Sequence, residues 1–456
     1  MNPQSPQSTS PAPAEALDEE PAAATTTTPR RRKRPNVRPT TKLNVFITGG
    51  SDPRDLGLSS KPPRYPNAEG GTRRPVLNKL LAADKVGVVQ VSAGQKHAAA
   101  LTHDGEVLTW GCNDFFALGR VTATEDDEAT PTVVRGLEAL DIVQVVATNH
   151  ATFVLTTSGL VFGWGTFMGD DGIIGFTKEI IEKKTKARPE ELAARTPTPV
   201  HGLRDITHLA AGSNHVLALT RGGNVFAWGA GHQGELGRRL VYRHRYESLT
   251  PRSVSFPRNA IARIFAGFSH SFAVDRQGRV FAWGLNNFGQ TGIPAEGDEE
   301  RPANPHVNHP ERVQSLEGIK VECIAAGLHH SAACTEDGRV MVWGRCDADQ
   351  VGASLKLVPD ELLLRDDRGM PRMVVVPIQI PSLEASTVAA GTDNCFAINR
   401  DGVLLAWGFS DNFRTGLKKE DSANEPKLVT SGALADVKCT SVISRGSFTV
   451  FTVLAE

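Results

Sequence analysis

The sequence is short of several things, and each shortage closes off a class of protein. No apolar run approaches the roughly 20 residues that a membrane-spanning helix needs, so a soluble protein with no membrane partner is expected. The six cysteines form no C-x-x-C pair, and Cys323, Cys334 and Cys395 stand in apolar strand-like contexts, which points to a reducing compartment. An apolar secretory h-region is missing near the N-terminus, so export is not expected. Formal net charge is only −1, so attraction to nucleic acid has to come from local clusters. The sequence holds no G-x-x-x-x-G-K-[ST] loop, no H-E-x-x-H and no G-x-S-x-G. No cofactor, no metal and no covalent catalysis are therefore expected. His306 and His309 have H-x-x-H spacing, but Pro302, Pro305 and Pro310 around them make a plain surface loop the simpler reading.

What is present is a repeat. All six tryptophans (Trp110, Trp164, Trp228, Trp283, Trp343, Trp407) precede a glycine, at spacings of 54 to 64 residues. Each ends a hairpin whose first half opens on small residues and often a histidine, as in Ala211-Gly-Ser-Asn-His215. A turn such as Asp104-Gly105, Asp337-Gly338 or Asp401-Gly402 follows, and then V-x-x-W-G. The chain is thus read as mostly antiparallel β. Its phase is informative: Asn44 to Gly49 looks like a second half with Thr48 in the tryptophan place, and Ser444 to Val450 looks like a first half with nothing after it. Two complementary stumps suit a ring closed by pairing them, which also removes the open edge. The expected fold is an all-β, seven-bladed β-propeller over residues 44–456, closed by N-terminal and C-terminal strands in one blade. Alanine runs such as Ala98-Ala99-Ala100 suit the crowded innermost strands, and each tryptophan fills the gap between neighbouring blades.

Residues 1–43 are rich in Pro, Ala, Thr and Ser and are expected to be a disordered tail. Within them Arg30, Arg31, Arg32, Lys33 and Arg34 form a cluster readable as a nuclear-import signal or a phosphate-binding arm. A second basic stretch, Arg238 to Arg252, interleaves cations with Tyr242 and Tyr246, as nucleic-acid grooves do, and reads equally well as a solvated excursion. Lys178 to Ala194 reads as a long loop or short helix outside the blades. Hairpin geometry puts the A-G-x-x-H segments and the segments after Trp-Gly on one face, which collects Asp52, Asn149, Asp170, Asp171, Asn214, His329, His330 and Asp393. For His97, His215, His270 and His330, at equivalent places, a capping hydrogen bond inside each blade is the plainer role. His329 breaks the pattern and suits binding.

Three stretches carry a resemblance: Gly111 to Arg120 (GCNDFFALGR), Trp164 to Phe176 (WGTFMGDDGIIGF) and Gly284 to Gly292 (GLNNFGQTG). They resemble the regulator-of-chromosome-condensation family and, more narrowly, the nuclear guanine-nucleotide exchange factors for the small GTPase Ran. The segment from Glu235 through Arg252 is similar to the fungal branch. The resemblance spans roughly residues 44 to 454. It implies seven blades, nuclear localisation, and action on chromatin in nucleocytoplasmic transport and mitosis. The implied partners are a Ran-like GTPase on one face, nucleosome or DNA through the tail and a face, and a nuclear import receptor. It also implies a wedge hairpin in the third blade, here Thr166, Phe167, Met168, Gly169, Asp170, Asp171 and Gly172. Asp52 matches a family acidic residue, and His329 with His330 matches a paired-histidine loop. Asn214 and Asn149 stand where the family has aspartate, Met168 where it has arginine, and Phe448 where it has histidine. Those departures make an exchange-deficient scaffold that binds a GTPase, chromatin or other proteins the alternative expectation.

Overall fold

The computed structural model describes residues 35–59, 66–68, 70–182, 188, 191–257, 261–294, 305–417, 422–430, 432–435 and 437–455. Seven antiparallel sheets form the blades of a propeller. Counting the closing sheet as blade 1, blades 2, 3 and 4 begin at Val88–Ala93, Ile142–Ala147 and Ile206–Ala211, and blades 5, 6 and 7 at Ile261–Ala266, Val321–Ala326 and Thr387–Ala390. These first strands pack against one another around the axis. Four of them run through an A-G-x-x-H tip, with Ala147 to Ala151 and Ala390 to Asn394 as variants in blades 3 and 7, into a second strand, such as His97–Thr102 or His330–Thr335, that is buried along nearly its whole length. Neighbouring blades cover it on both sides, so it reads as a continuous apolar run with no alternation. The alanine run Ala98 to Ala100 therefore lies in a second strand and not, as expected, in an innermost one. Asp-Gly turns with positive φ at glycine (Gly105, φ 92) then lead into the Trp-Gly strand.

Blade 1 is assembled from both ends of the chain. Leu43–Gly49 pairs with Phe448–Leu454, from Leu43 opposite Leu454 to Gly49 opposite Phe448. Thr72–Leu77 adds the outer strand and Cys439–Arg445 the inner one. Thr48 is buried and donates to Phe413 O at 3.3 Å, so a hydroxyl occupies the seventh tryptophan position.

The six indoles are buried between blades. Trp164 Nε1 donates to Ala117 O (2.8 Å), and Trp283, Trp343 and Trp407 donate to Glu235, Gln290 and Gln350 O (2.9 Å each), all in the loop of the preceding blade. That loop crosses the indole at a glycine: at Gly352, with φ +63, a Cβ would lie 2.3 Å from Trp407 Cδ1. The repeated histidines complete the joint. His97, His215 and His270 Nε2 meet the hydroxyls of Thr152, Ser271 and Ser331 of the next blade at 2.8–2.9 Å, and His330 Nε2 meets Cys395 Sγ at 3.1 Å. Their bonds run between blades, which corrects the expectation of caps within a blade. Burial pushes the His97 and His215 imidazoles down to about 3, so they stay neutral.

Other expectations shift in detail. Blade 6 has a fifth strand, Leu363–Arg365, paired with the long strand Pro371–Glu384. His306–Arg312 is the outer strand of blade 5 and not a loop. The short-helix reading of Lys178 to Ala194 fits α-helix Lys178–Glu182. The tail boundary at residue 43 moves, because residues 35–42 are held on the ring. Asn36 Nδ2 donates to Thr156 O (3.2 Å) and Ile206 O (2.7 Å), and Arg38 donates to Ile142 O (2.6 Å) and His103 O (2.7 Å). The cluster Arg30 to Arg34 lies outside the described residues.

Candidate functional site

The tips and the segments after Trp-Gly do share one face. Hydrogen bonds join them blade by blade: Cys112 N to Lys96 O, Thr166 N to His150 O, Ala230 N to Asn214 O, Leu285 N to Ser269 O, Arg345 N to His329 O and Phe409 N to Asp393 O, all at 2.7–2.9 Å. In blade 3 the segment after Trp-Gly does something the others do not. Phe167–Gly169 and Gly172–Gly175 pair into a two-stranded hairpin of their own, outside the blade sheet. Its base is fixed by Phe167 and Phe176, buried and stacked on Phe153 at 5.7 Å. Thr166 is buried, while Met168 and Gly169 are partly exposed and Asp171 at the tip is open to solvent. Asn214 Oδ1 accepts from Met168 N at 3.4 Å, and its side chain also bonds His150. On the other side Asp170 accepts from Gln233 Nε2 (3.2 Å), whose Oε1 meets His306 Nε2 (2.9 Å).

The remaining sequence-selected residues divide. Asn149 is half-buried beside that hairpin, its N–H on Ser213 O at 2.7 Å. Asp52 caps a short 3-10 helix, Pro53–Leu56, and chelates Arg54, whose guanidinium also reaches Glu128 at 2.9 Å. Arg54 holds the Asp52 carboxyl below its usual range. His329 is half-buried with its ring 4.8 Å from that of Phe288. Asp393 accepts from Gln350 Nε2 at 3.0 Å. His330 is buried and spent on Cys395, so the expected docking role for its side chain is replaced by an inter-blade one. Among the described residues no group of three His, Cys, Asp or Glu could hold a metal ion, and no helix is long and apolar enough to cross a membrane.

A model of the RCC1-like domain matches residues 44–451. The chain belongs to that family. It is 37% identical over 426 residues to Protein pim1 of Schizosaccharomyces pombe, covering 90% of this chain and 75% of that one. It is 31% identical over 437 residues to guanine nucleotide exchange factor SRM1 of Saccharomyces cerevisiae, covering 90% and 86%. Among solved structures it resembles Saccharomyces cerevisiae Prp20p, described with its binding properties to Gsp1p and histones, at 31% identity, TM-score 0.81 and 93% coverage of each chain. It is likewise similar to yeast RCC1 (Prp20) bound to Kap60, at 28% identity and TM-score 0.82, covering 96% of this chain and 97% of that one.

Within the RCC1-like frame, the structure adds residues that the sequence reading passed over. Arg345, just after Trp343-Gly344, pairs with Asp347 at 2.6 Å, approaches Asp393 at 3.9 Å and, with Arg372, covers the Phe288 ring at 5.3 and 4.9 Å. Arg345 thus ties His329, Asp393 and blade 5 into one patch. Arg445 occupies the place that is glycine in most tips. Its side chain crosses the ring to Ala211 O at 3.2 Å and lies over Phe268 at 4.6 Å. Burial pushes its guanidinium down to about 10. The Arg238–Arg252 excursion forms a 3-10 helix, Tyr242–Leu249, and part of its charge is spent: Glu247 holds Lys178 at 2.5 Å and Arg252 at 2.7 Å. Arg239 and Arg243 remain exposed.

Proposed function

We propose that this chain is a guanine-nucleotide exchange factor for a Ran-like small GTPase, acting in the nucleus on chromatin. Family membership supports this reading, as do the similarity to SRM1 and the similarity to Prp20p, a protein described with its binding to Gsp1p and histones. The observation that carries it is the blade 3 hairpin, a projection with a buried aromatic base and an exposed acidic tip on the face where the tips converge. Such a face needs no bond chemistry. A partner that binds the nucleotide-free GTPase more tightly than the loaded one must weaken nucleotide binding by the same free energy. In this scheme Asn214 positions the hairpin through Met168, and Asp52, Asn149, His329 and Asp393 with Arg345 supply the docking contacts. The cluster Arg30 to Arg34 is the proposed contact for an import receptor and for nucleosome or DNA phosphates. The Kap60 complex of yeast Prp20 supports the first of these.

Release of fluorescent GDP from the GTPase tests the proposal: acceleration at catalytic amounts of the protein is expected, and background release would refute exchange. The second reading, an exchange-deficient scaffold, is favoured by the amide at Asn214. Asn214→Asp separates the two. For a working factor in which Asn214 only positions the hairpin, the rate should change less than about tenfold. A gain of several orders of magnitude from a near-background rate would show that the native chain is a scaffold.

A further inference from the structure

Cys323 and Cys334 lie directly opposite each other on the first and second strands of blade 6. Their sulfurs are 2.8 Å apart, and both are free thiols. In blades 2 to 5 the corresponding places hold a long polar residue facing an aliphatic one: Gln90 opposite Leu101, Gln144 opposite Leu155, His208 opposite Leu219 and Arg263 opposite Val274, while blade 1 holds Ser441 opposite Thr452 and blade 7 Thr387 opposite Ile398. Three of those polar residues stitch one blade to the next. Gln90 accepts from Val145 N at 3.0 Å, Gln144 bonds both N and O of Leu209 at 2.9 Å, and Arg263 donates to Val321 O at 2.6 Å. In blade 6 two long thiol contacts to blade 7 stand in its place: Cys323 Sγ meets Thr387 Oγ1 at 3.9 Å, and the Cys334 thiol donates to Ser386 O at 3.4 Å. Blade 6 alone among the seven sheets sets a cysteine opposite a cysteine at this register position.

We propose that Cys323 and Cys334 form a reversible oxidation site that a peroxide converts to a cross-strand disulfide. Cys323 is partly exposed and Cys334 fully buried, so the peroxide meets Cys323 first. Its thiolate attacks one peroxide oxygen, the O–O bond breaks, and water leaves after taking up a proton; Cys323 becomes a sulfenic acid. The Cys334 sulfur then attacks the Cys323 sulfur, the S–S bond forms, and the sulfenic oxygen leaves as a second water. Two thiols and one hydrogen peroxide thus give one disulfide and two waters, and a dithiol reductant reverses the change. The Cys334 thiol beside it holds the Cys323 thiol below its usual range, which raises the thiolate fraction of the attacking sulfur. The site lies in the hairpin whose tip carries His329, so oxidation would cross-link the strands supporting that part of the face.

The test treats the full chain with stoichiometric hydrogen peroxide, alkylates free thiols under denaturing conditions and maps peptides by mass spectrometry. The expected result is a tryptic peptide Val321–Arg339 that carries no alkyl group, is two hydrogens lighter than the dithiol and regains them with dithiothreitol. Cys112, Cys346, Cys395 and Cys439 should remain alkylated. In Cys334→Ser no link can form, and a dimedone adduct on Cys323 is expected instead. If Cys323 and Cys334 are both alkylated in full after peroxide, or if Cys323 goes to sulfinic acid in the native chain with no link, the proposal fails.

Discussion

Phe448 shows how single residues on the ring are matched in pairs. In four blades a histidine reaches a hydroxyl or thiol one blade on: His97 to Thr152, His215 to Ser271, His270 to Ser331 and His330 to Cys395. Phe448 stands at the same place in blade 1, and the receiving position in blade 2 is Ala98; both are buried in one apolar cluster with Trp110. A histidine there would lose its partner, so Phe448 with Ala98 forms a matched apolar pair in place of the histidine–hydroxyl or histidine–thiol pair of the four other blades. Phe448→His alone should lower stability by about 1–3 kcal/mol, since an imidazole would be buried with one nitrogen unsatisfied. Adding Ala98→Ser should recover part of that loss, a coupling of roughly 0.5–3 kcal/mol measurable by denaturant unfolding of the double-mutant cycle. Strictly additive losses would rule the pairing out. The sequence supplied both residues but not their adjacency, because 350 positions separate them along the chain and only ring closure brings them together.

At the scale of elements, the loops after Trp-Gly in blades 4, 5 and 6 share one device. In blades 5 and 6 a glutamine accepts from a backbone N–H two residues earlier, Gln290 from Phe288 and Gln350 from Ala348. Blade 4 places Glu235 there, accepting from Gln233 N at 2.8 Å. Burial raises the Glu235 carboxyl to about 7, with Asp170 of the hairpin adding a smaller push. Since the folded chain keeps this proton to higher pH than the unfolded chain, stability is full below the usual glutamate range and falls as pH rises from about 4.5 to about 7. Glu235→Gln removes that loss without removing the acceptor. Its melting temperature should match the parent's at pH 4.5 and exceed it at pH 8, by the equivalent of up to about 3 kcal/mol. Equal differences at both pH values would show that the carboxyl does not titrate there. These loops, and the turns opposite them, were readable because a two-residue turn or a Trp-Gly pair marks each one. The fifth strand of blade 6 was not, since Leu363–Arg365 is only three residues long and its pattern is lost among charges.

For the whole molecule, the closure of blade 1 is the property most legible in the sequence, since two half-repeats at opposite ends have one economical use in a ring. The docking face was legible as a place, from hairpin geometry, but not as a set of residues. His330 matched a motif yet faces inward, whereas Arg345 and Arg445 matched none and join blades across the face. Side-chain direction at a tip depends on which neighbour has room, and that follows only from the assembled ring. Closure also makes a prediction. Ala455 N donates to Lys42 O at 3.0 Å, so in a chain trimmed to start at Lys42 a short linker can join the two while the chain is opened between Ala385 and Ser386, after blade 6. Each blade is then contiguous and the ring loses its latch. Calorimetry should find this permutant folded, with a melting temperature lower by several degrees and a broader transition. A melting temperature at or above the parent's would show that the latch adds nothing.

The same latch sets an order of events during synthesis. Ser51 and Ser447, hydrogen-bonded through their hydroxyls, are 396 residues apart. Leu43–Gly49 therefore leaves the ribosome long before its partner strand exists. While the six contiguous blades emerge and stack, that strand can pair with Thr72–Leu77 on one edge, but its other edge stays open and its apolar side bears Val45 and Ile47. It is the segment most in need of shielding by a chaperone until translation ends.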